Sequence, residues 1–248
     1  MLVDKLKIEF LGTFAITYLS GLSLVAIFSG EATKTSGAIS NFAVYSLLLW
    51  VGKAISGSHY NPVITISLAI SKHIKLSTAL VYILFHFIAS IFAISLIKIS
   101  LPMKLISLLK KDTIVGFPLL SVDPLKGIAL EATGTLFIVL VYYVLILERN
   151  APKYVYGVGI SGMFLVNMIL LHDKTGCSLN PMKNLCYAII GQNYSHLYVY
   201  ILGPLIGGII GGLLGNVLLS EKAEKHKKRK KTQKMKRKEI ELKKRLSK

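Results

Sequence analysis

The chain has 248 residues, 53% of them hydrophobic, and a mean hydropathy of +0.59, far above that of a soluble domain. Its net charge of +18 is concentrated: residues 221–248 hold 15 of the 30 Lys and Arg against four Glu, which is +11, leaving +7 over the first 220 residues. The isoelectric point near 9.8 therefore describes a tail, and no nucleic-acid partner is expected for the protein as a whole.

The N-terminus passes from an amphiphilic start, Asp4 to Glu9, into apolar sequence of spanning length. A signal peptide would have a shorter apolar core and a small-residue cleavage site, so a retained first span is expected. Six long apolar segments follow one another: Leu6–Phe28, Ile39–Ala54, Leu76–Ile99, Leu125–Leu147, Val155–Leu171 and His196–Leu219. Asn61–Ser71 lies between the second and third, and Asn180–Ile190 between the fifth and sixth. Each of these short segments would make a helix of about 16 Å, half of a bilayer core of about 30 Å.

Both short segments open on Asn-Pro, as Asn61-Pro62-Val63 and Asn180-Pro181-Met182. Asn is a preferred N-cap and Pro suits the first helical position, so each dipeptide reads as a helix start. A helix start carries free N–H groups and partial positive charge. Two such starts inside a membrane would form a polar, cation-repelling site, with protein or a water-filled cavity satisfying their ends.

The halves repeat. Glu9-Phe10-Leu11-Gly12-Thr13 returns as Glu131-Ala132-Thr133-Gly134-Thr135, 122 positions on, and the Asn-Pro pair returns after 119. Each half holds three spans and one half-helix. Three is odd, so the second half enters from the opposite face, as an inverted repeat. The expected fold is therefore an all-α membrane protein of six transmembrane helices and two half-helices. A channel domain would cover residues 1–220, with repeat one at about 6–99 and repeat two at about 125–219, followed by a disordered polybasic tail at 221–248.

The positive-inside rule puts that tail, Lys5 and Lys7 in the cytoplasm, and the connections Lys72–Lys75 and Glu148–Lys153 agree. Lys104, Lys110 and Lys111 in the third connection point the other way. Multi-pass insertion with both termini cytoplasmic is the expectation. Anionic lipid on that leaflet is the expected contact of the tail. The spacing of Cys177 and Cys186 across a helix start argues against a disulfide. No phosphate-binding glycine loop, nucleophile constellation or metal-ligand cluster stands out, so neither enzyme activity nor a cofactor nor a metal is expected.

The two Asn-Pro motifs, Ser56-Gly57 and His59 before the first, Gly176-Cys177 before the second, the paired Glu-x-x-Gly-Thr segments and Gly203-Pro204-Leu205-Ile206-Gly207-Gly208 together resemble the aquaporins of the major intrinsic protein family, over about residues 6–219. The resemblance implies one path per subunit and a homotetramer. It also implies water reorienting at Asn61 and Asn180, so that a proton wire is broken. The family usually has Asn-Pro-Ala twice, where this chain has Val63 and Met182; larger side chains there would alter packing or width near the centre. An arginine normally follows the second motif, where this chain has Lys183, which keeps the charge but loses the planar fork. By family position, the selectivity filter falls on Asn41, Met168, Cys177 and Lys183. It matches neither the water-selective set (Phe and His at the first two positions) nor the glycerol-conducting pattern, in which Asp follows the arginine; here Asn184 follows Lys183.

Each residue also has a plainer reading. The asparagines could simply cap helices, Lys183 could snorkel to the interface, and a shift of one turn would make Asn41 and Met168 packing residues. Cys177 could be only a small residue at a loop mouth. Glu9 and Glu131 lie in apolar segments, where a carboxylate is costly; bracing the half-helix loops is preferred over a proton relay. His59 reads as a neutral hydrogen-bonded group or a pH sensor, and His86 as an interhelical group rather than a ligand. The functional expectation is a passive channel for water, with other small neutral solutes as further cargo. Alternatives are a glycerol, urea, ammonia or hydrogen peroxide facilitator, or a non-conducting junctional or scaffold member of the same fold.

Overall fold

A computed structural model describes residues 2–101, 120–147 and 153–219. The expected tail at 221–248, the lysines at 104, 110 and 111, and Glu148 lie outside the described residues. Eight helices occur among those described: α1 Leu2–Phe28, α2 Lys34–Gly52, α3 Pro62–Ile70, α4 Leu76–Ser100, α5 Pro124–Leu147, α6 Lys153–Thr175, α7 Pro181–Gly191 and α8 Leu197–Leu219.

Five of them, α1, α4, α5, α6 and α8, are long and apolar enough to cross a membrane. The sixth expected span, α2, has 19 residues and is more polar, with Lys34, Ser36, Asn41 and Ser46 on it. It starts five positions before the expected Ile39 because Thr33 and Ser36 form a reciprocal capping box, which hydropathy does not register. Similarly, α6 runs past Leu171 to Thr175 through the polar His172, Asp173 and Lys174.

The molecule is inside-out relative to a soluble protein. Leu84, Phe92 and Leu213 are more than half exposed on the outer faces, whereas Glu9 and Glu131 are fully buried. Helix α1 packs on α2 and α4, α2 on α6, α5 on α6, and α4 on α7. The half-helices α3 and α7 meet each other at the centre. Small residues permit the closest crossings. A Cβ on Gly207 of α8 would lie 2.0 Å from the Ala132 carbonyl oxygen of α5. One on Gly208 would lie 2.0 Å from Cγ1 of Val63. The glycine-rich run in α8 thus seats that helix against α5 on one side and α3 on the other.

The repeat extends to backbone conformation. Gly57, Ser58 and Tyr60 have φ of 98°, 58° and 51°; their counterparts 119 positions on, Gly176, Cys177 and Leu179, have 74°, 51° and 52°. Left-handed backbone costs a non-glycine residue about 1–2 kcal/mol. The repeated carboxylates hydrogen-bond to both loops. Glu9 accepts from the backbone N–H of His59 at 3.0 Å and of Tyr60 at 2.9 Å. Glu131 accepts from Ser178 at 3.2 Å and Leu179 at 2.8 Å.

Candidate functional site

The site is built where the two loops turn into α3 and α7. Asn61 and Asn180 are both N-caps, with Pro62 and Pro181 at the first helical positions. The Asn61 side-chain oxygen accepts from Val63 N–H at 3.0 Å. That of Asn180 accepts from Met182 N–H at 3.1 Å and Lys183 N–H at 3.4 Å. The amide nitrogens reach across the repeat boundary: Asn61 Nδ2 donates to Leu179 O at 2.8 Å, and Asn180 Nδ2 to Tyr60 O at 3.3 Å. Each asparagine thus caps its own half-helix and ties down the residue preceding the other asparagine. An amide NH2 has two hydrogens, so one N–H per asparagine remains beyond this tie.

Two narrow chambers flank this junction. The first is lined by Tyr45, Leu49, Ser58, His59, Asn61 and Tyr142, with Tyr60, Ile64, Ile138, Ile160 and Phe164 completing it. The second is lined by Ser20, Leu24, Asn41, Met168, Cys177 and Lys183, together with Gly176 and Phe164. The four residues assigned to the filter by resemblance, Asn41, Met168, Cys177 and Lys183, therefore surround one cavity.

Their individual settings differ. Lys183 is 5% exposed and faces this chamber rather than snorkelling outward, and no carboxylate pairs with it among the described residues. Asn41 turns its amide nitrogen back along its helix, to Gly37 O at 2.9 Å and Ser23 Oγ at 3.4 Å. Its side-chain oxygen has no hydrogen-bond partner among the described residues and is the group left for the chamber. Cys177 and Cys186 are both free thiols.

Val63 and Met182 line neither chamber. Val63 is packed into the notch left by Gly208, and Met182 lies against the cluster of Val25, Ile94, Ile97 and Tyr187. Both larger side chains are taken up in helix packing.

Around the first loop, three tyrosines from three helices hold the backbone. Tyr82 donates to Ser56 O at 3.1 Å, and Tyr142 and Tyr156 each donate to Gly57 O at 2.8 Å. His59 pairs through Nδ1 with Thr65 Oγ1 at 2.9 Å. His86 Nε2 lies 2.8 Å from Glu9, joining α4 to α1, while its Nδ1 has no hydrogen-bond partner among the described residues. At the second loop Thr175 donates to Glu131 at 2.6 Å and accepts from Cys177 N–H at 3.2 Å. No group of three or more His, Cys, Asp or Glu suited to a metal occurs among the described residues.

Sequence reasoning missed Tyr45, Leu49, Ile160 and Phe164. The signal for them is helical spacing: one turn on from Asn41 is Tyr45, then Leu49, and one turn back from Met168 is Phe164, then Ile160. The two chambers are lined by these residues in matching order along α2 and α6, which fits helices running in opposite directions.

Opposed half-helix starts at the centre of an apolar-faced bundle, with an inverted repeat around them, define a multi-pass membrane channel rather than an enzyme. The model of the major intrinsic protein family matches residues 2–214, and the chain belongs to that family. It is 25% identical over 207 residues to a putative aquaporin, NIP4-1, of Arabidopsis thaliana, covering 82% of this chain and 70% of the relative. It is 32% identical over 210 residues to a glycerol uptake facilitator protein-like 6 of Lactiplantibacillus plantarum, covering 81% and 91%. The aquaglyceroporin structure from Plasmodium falciparum shares the fold at a TM-score of 0.71 and 17% identity, covering 87% of this chain and 96% of that one.

Proposed function

We propose that the protein is a passive channel for water that also admits small neutral solutes. The observation that carries this reading is the reciprocal tie between Asn61 and Asn180, which places two helix N-termini against each other between two chambers. Each N-terminus carries about half a unit of positive charge. With the Lys183 ammonium in the adjacent chamber, the field opposes cations and hydronium while a neutral dipole can pass.

In this reading the remaining N–H of Asn61 donates to a solute oxygen, and Asn41, Met168, Cys177 and Lys183 screen solutes by width and polarity. Glu9 and Glu131 brace the loops that present the asparagines; three hydrogen bonds on each carboxylate support bracing over a proton relay. The protein assembles as a homotetramer with cytoplasmic termini, and its basic tail contacts anionic lipid.

A second reading, passage of glycerol or a similar polyol, is favoured by the name of the bacterial relative at 32% identity. Stopped-flow light scattering of vesicles containing the protein, with water, glycerol and urea gradients in turn, separates the two. Water flux no faster than through empty vesicles overturns the primary reading. Glycerol flux with little water flux selects the second.

A further inference from the structure

Tyr45 on α2 and Phe164 on α6 stack face to face, with ring centroids 4.6 Å apart and planes inclined by 17°. Both rings line the first chamber, and Phe164 is the residue common to the two chambers. The pair is also special in the repeat. Tyr45 and Phe164 are 119 positions apart, the separation of Asn61 from Asn180 and of Tyr60 from Leu179.

Residues related by an inverted repeat occupy mirrored depths on opposite sides of the pseudo-twofold axis. Two of them can touch only where they reach that axis, at the level where the repeats meet. The stack therefore lies at the depth of the Asn61–Asn180 junction. Neighbouring pairs obey the same rule: Asn41 and Ile160, and Leu49 and Met168, are also 119 apart, and in each pair one residue lines one chamber and its mate lines the other.

We infer that the Tyr45–Phe164 stack, one helical turn on from Asn41 along α2 and one turn back from Met168 along α6, is the principal size-selecting constriction between the chambers. A solute leaving the second chamber meets the Phe164 ring. To enter the first it must pass between the stacked rings and the asparagine junction, or displace a ring. A stacked pair holds its rings beyond simple burial, so a water molecule slips past more readily than a three-carbon polyol, which needs a ring to swing. This rests on the channel reading above, and it adds a tighter size limit at the midplane to the width and polarity screen of the Lys183 chamber.

The test compares wild type with Phe164→Ala and Tyr45→Ala in reconstituted vesicles, measuring water, glycerol and erythritol permeability. Phe164→Leu, which keeps more of the core volume, serves where an alanine variant fails to reconstitute. Val166→Ala, on the exposed side of α6, is the control. Helix content by circular dichroism and elution volume establish folding first.

Opening the stack should raise the glycerol-to-water permeability ratio by about tenfold, the order of effect expected from removing one aromatic pair contact from the barrier, and leave the control at the wild-type ratio. An unchanged ratio in the stack variants, with wild-type water flux intact, overturns the constriction and leaves the channel reading standing. A silent wild type whose stack variants conduct supports the constriction as a plug and overturns the water reading. Silence of every protein toward every solute overturns both.

Discussion

Asn61 donates its side-chain amide to the carbonyl of Leu179 at 2.8 Å, across 118 positions of sequence and between the two repeats. With the mirrored bond from Asn180 to Tyr60, it makes the depth of one half-helix depend on the other. Replacing Asn61 by Ala removes a cap and this tie together. We expect a loss of about 1–3 kcal/mol of stability, read as a lower unfolding temperature in detergent. Asn180→Ala should cost at least as much, because its oxygen takes two backbone N–H groups. Equal melting of wild type and both variants would remove the joint role.

Glu9 answers two backbone donors and His86, all in buried surroundings. Glu9→Ala leaves these groups unpaired and should destabilise by about 3 kcal/mol or more, since each buried unsatisfied group costs about 1–3 kcal/mol. Poor reconstitution at unchanged expression is the expected result. Glu9→Gln should be milder, because it keeps one carbonyl oxygen but turns an NH2 toward donors. If the alanine variant reconstitutes and melts like wild type, the loop does not depend on this carboxylate.

Cys177 lines the second chamber, whereas Cys186 packs within α7 with its thiol 3.7 Å from Phe87 O. Mercuric chloride should block flux in wild type and in Cys186→Ser, and leave Cys177→Ser conducting. Reducing agent should restore the blocked proteins. Block of Cys177→Ser to the wild-type extent would place the reactive thiol elsewhere.

Lys183 puts a buried amine in the same chamber with no paired carboxylate among the described residues, and the channel reading takes it as an ammonium. Lys183→Met keeps the length and removes the charge. Proton leak through vesicles, followed with an entrapped pH dye, should rise several-fold on the scale set by a lost electrostatic barrier of about 1 kcal/mol. No change in leak would assign cation exclusion to the half-helix termini alone.

Val63 fills the notch at Gly208 and lines neither chamber. Val63→Ala should therefore lower stability by about 1–2 kcal/mol, as for a modest buried truncation, while leaving the glycerol-to-water ratio unaltered. A shifted ratio at unchanged stability would put this side chain on the path.

Much of this architecture was legible in the chain because its determinants are local. Asn-Pro starts a helix wherever it stands, six apolar segments reveal themselves by length, and the recurrence of Glu9 and Asn61 as Glu131 and Asn180 exposes the repeat. Hydropathy could not find the start of α2, since the Thr33–Ser36 capping box is polar. Nor could local sequence show that Ser58, Tyr60, Cys177 and Leu179 take left-handed backbone. That conformation is disfavoured for each residue alone, and the loops that adopt it hydrogen-bond to carboxylates about 50 positions away.

What the amino-acid sequence determined by itself is the set of parts: a membrane chain, an inverted repeat and two polar helix starts. Tertiary structure alone decided which side chains meet. It turned Val63 toward Gly208 and stacked Tyr45 on Phe164. The reason is physical. Helix starts and apolar spans follow from preferences of neighbouring residues, whereas the width of a path depends on how separate helices cross. That crossing is set by notches such as Gly207 against Ala132, whose partners lie 75 positions apart in the chain.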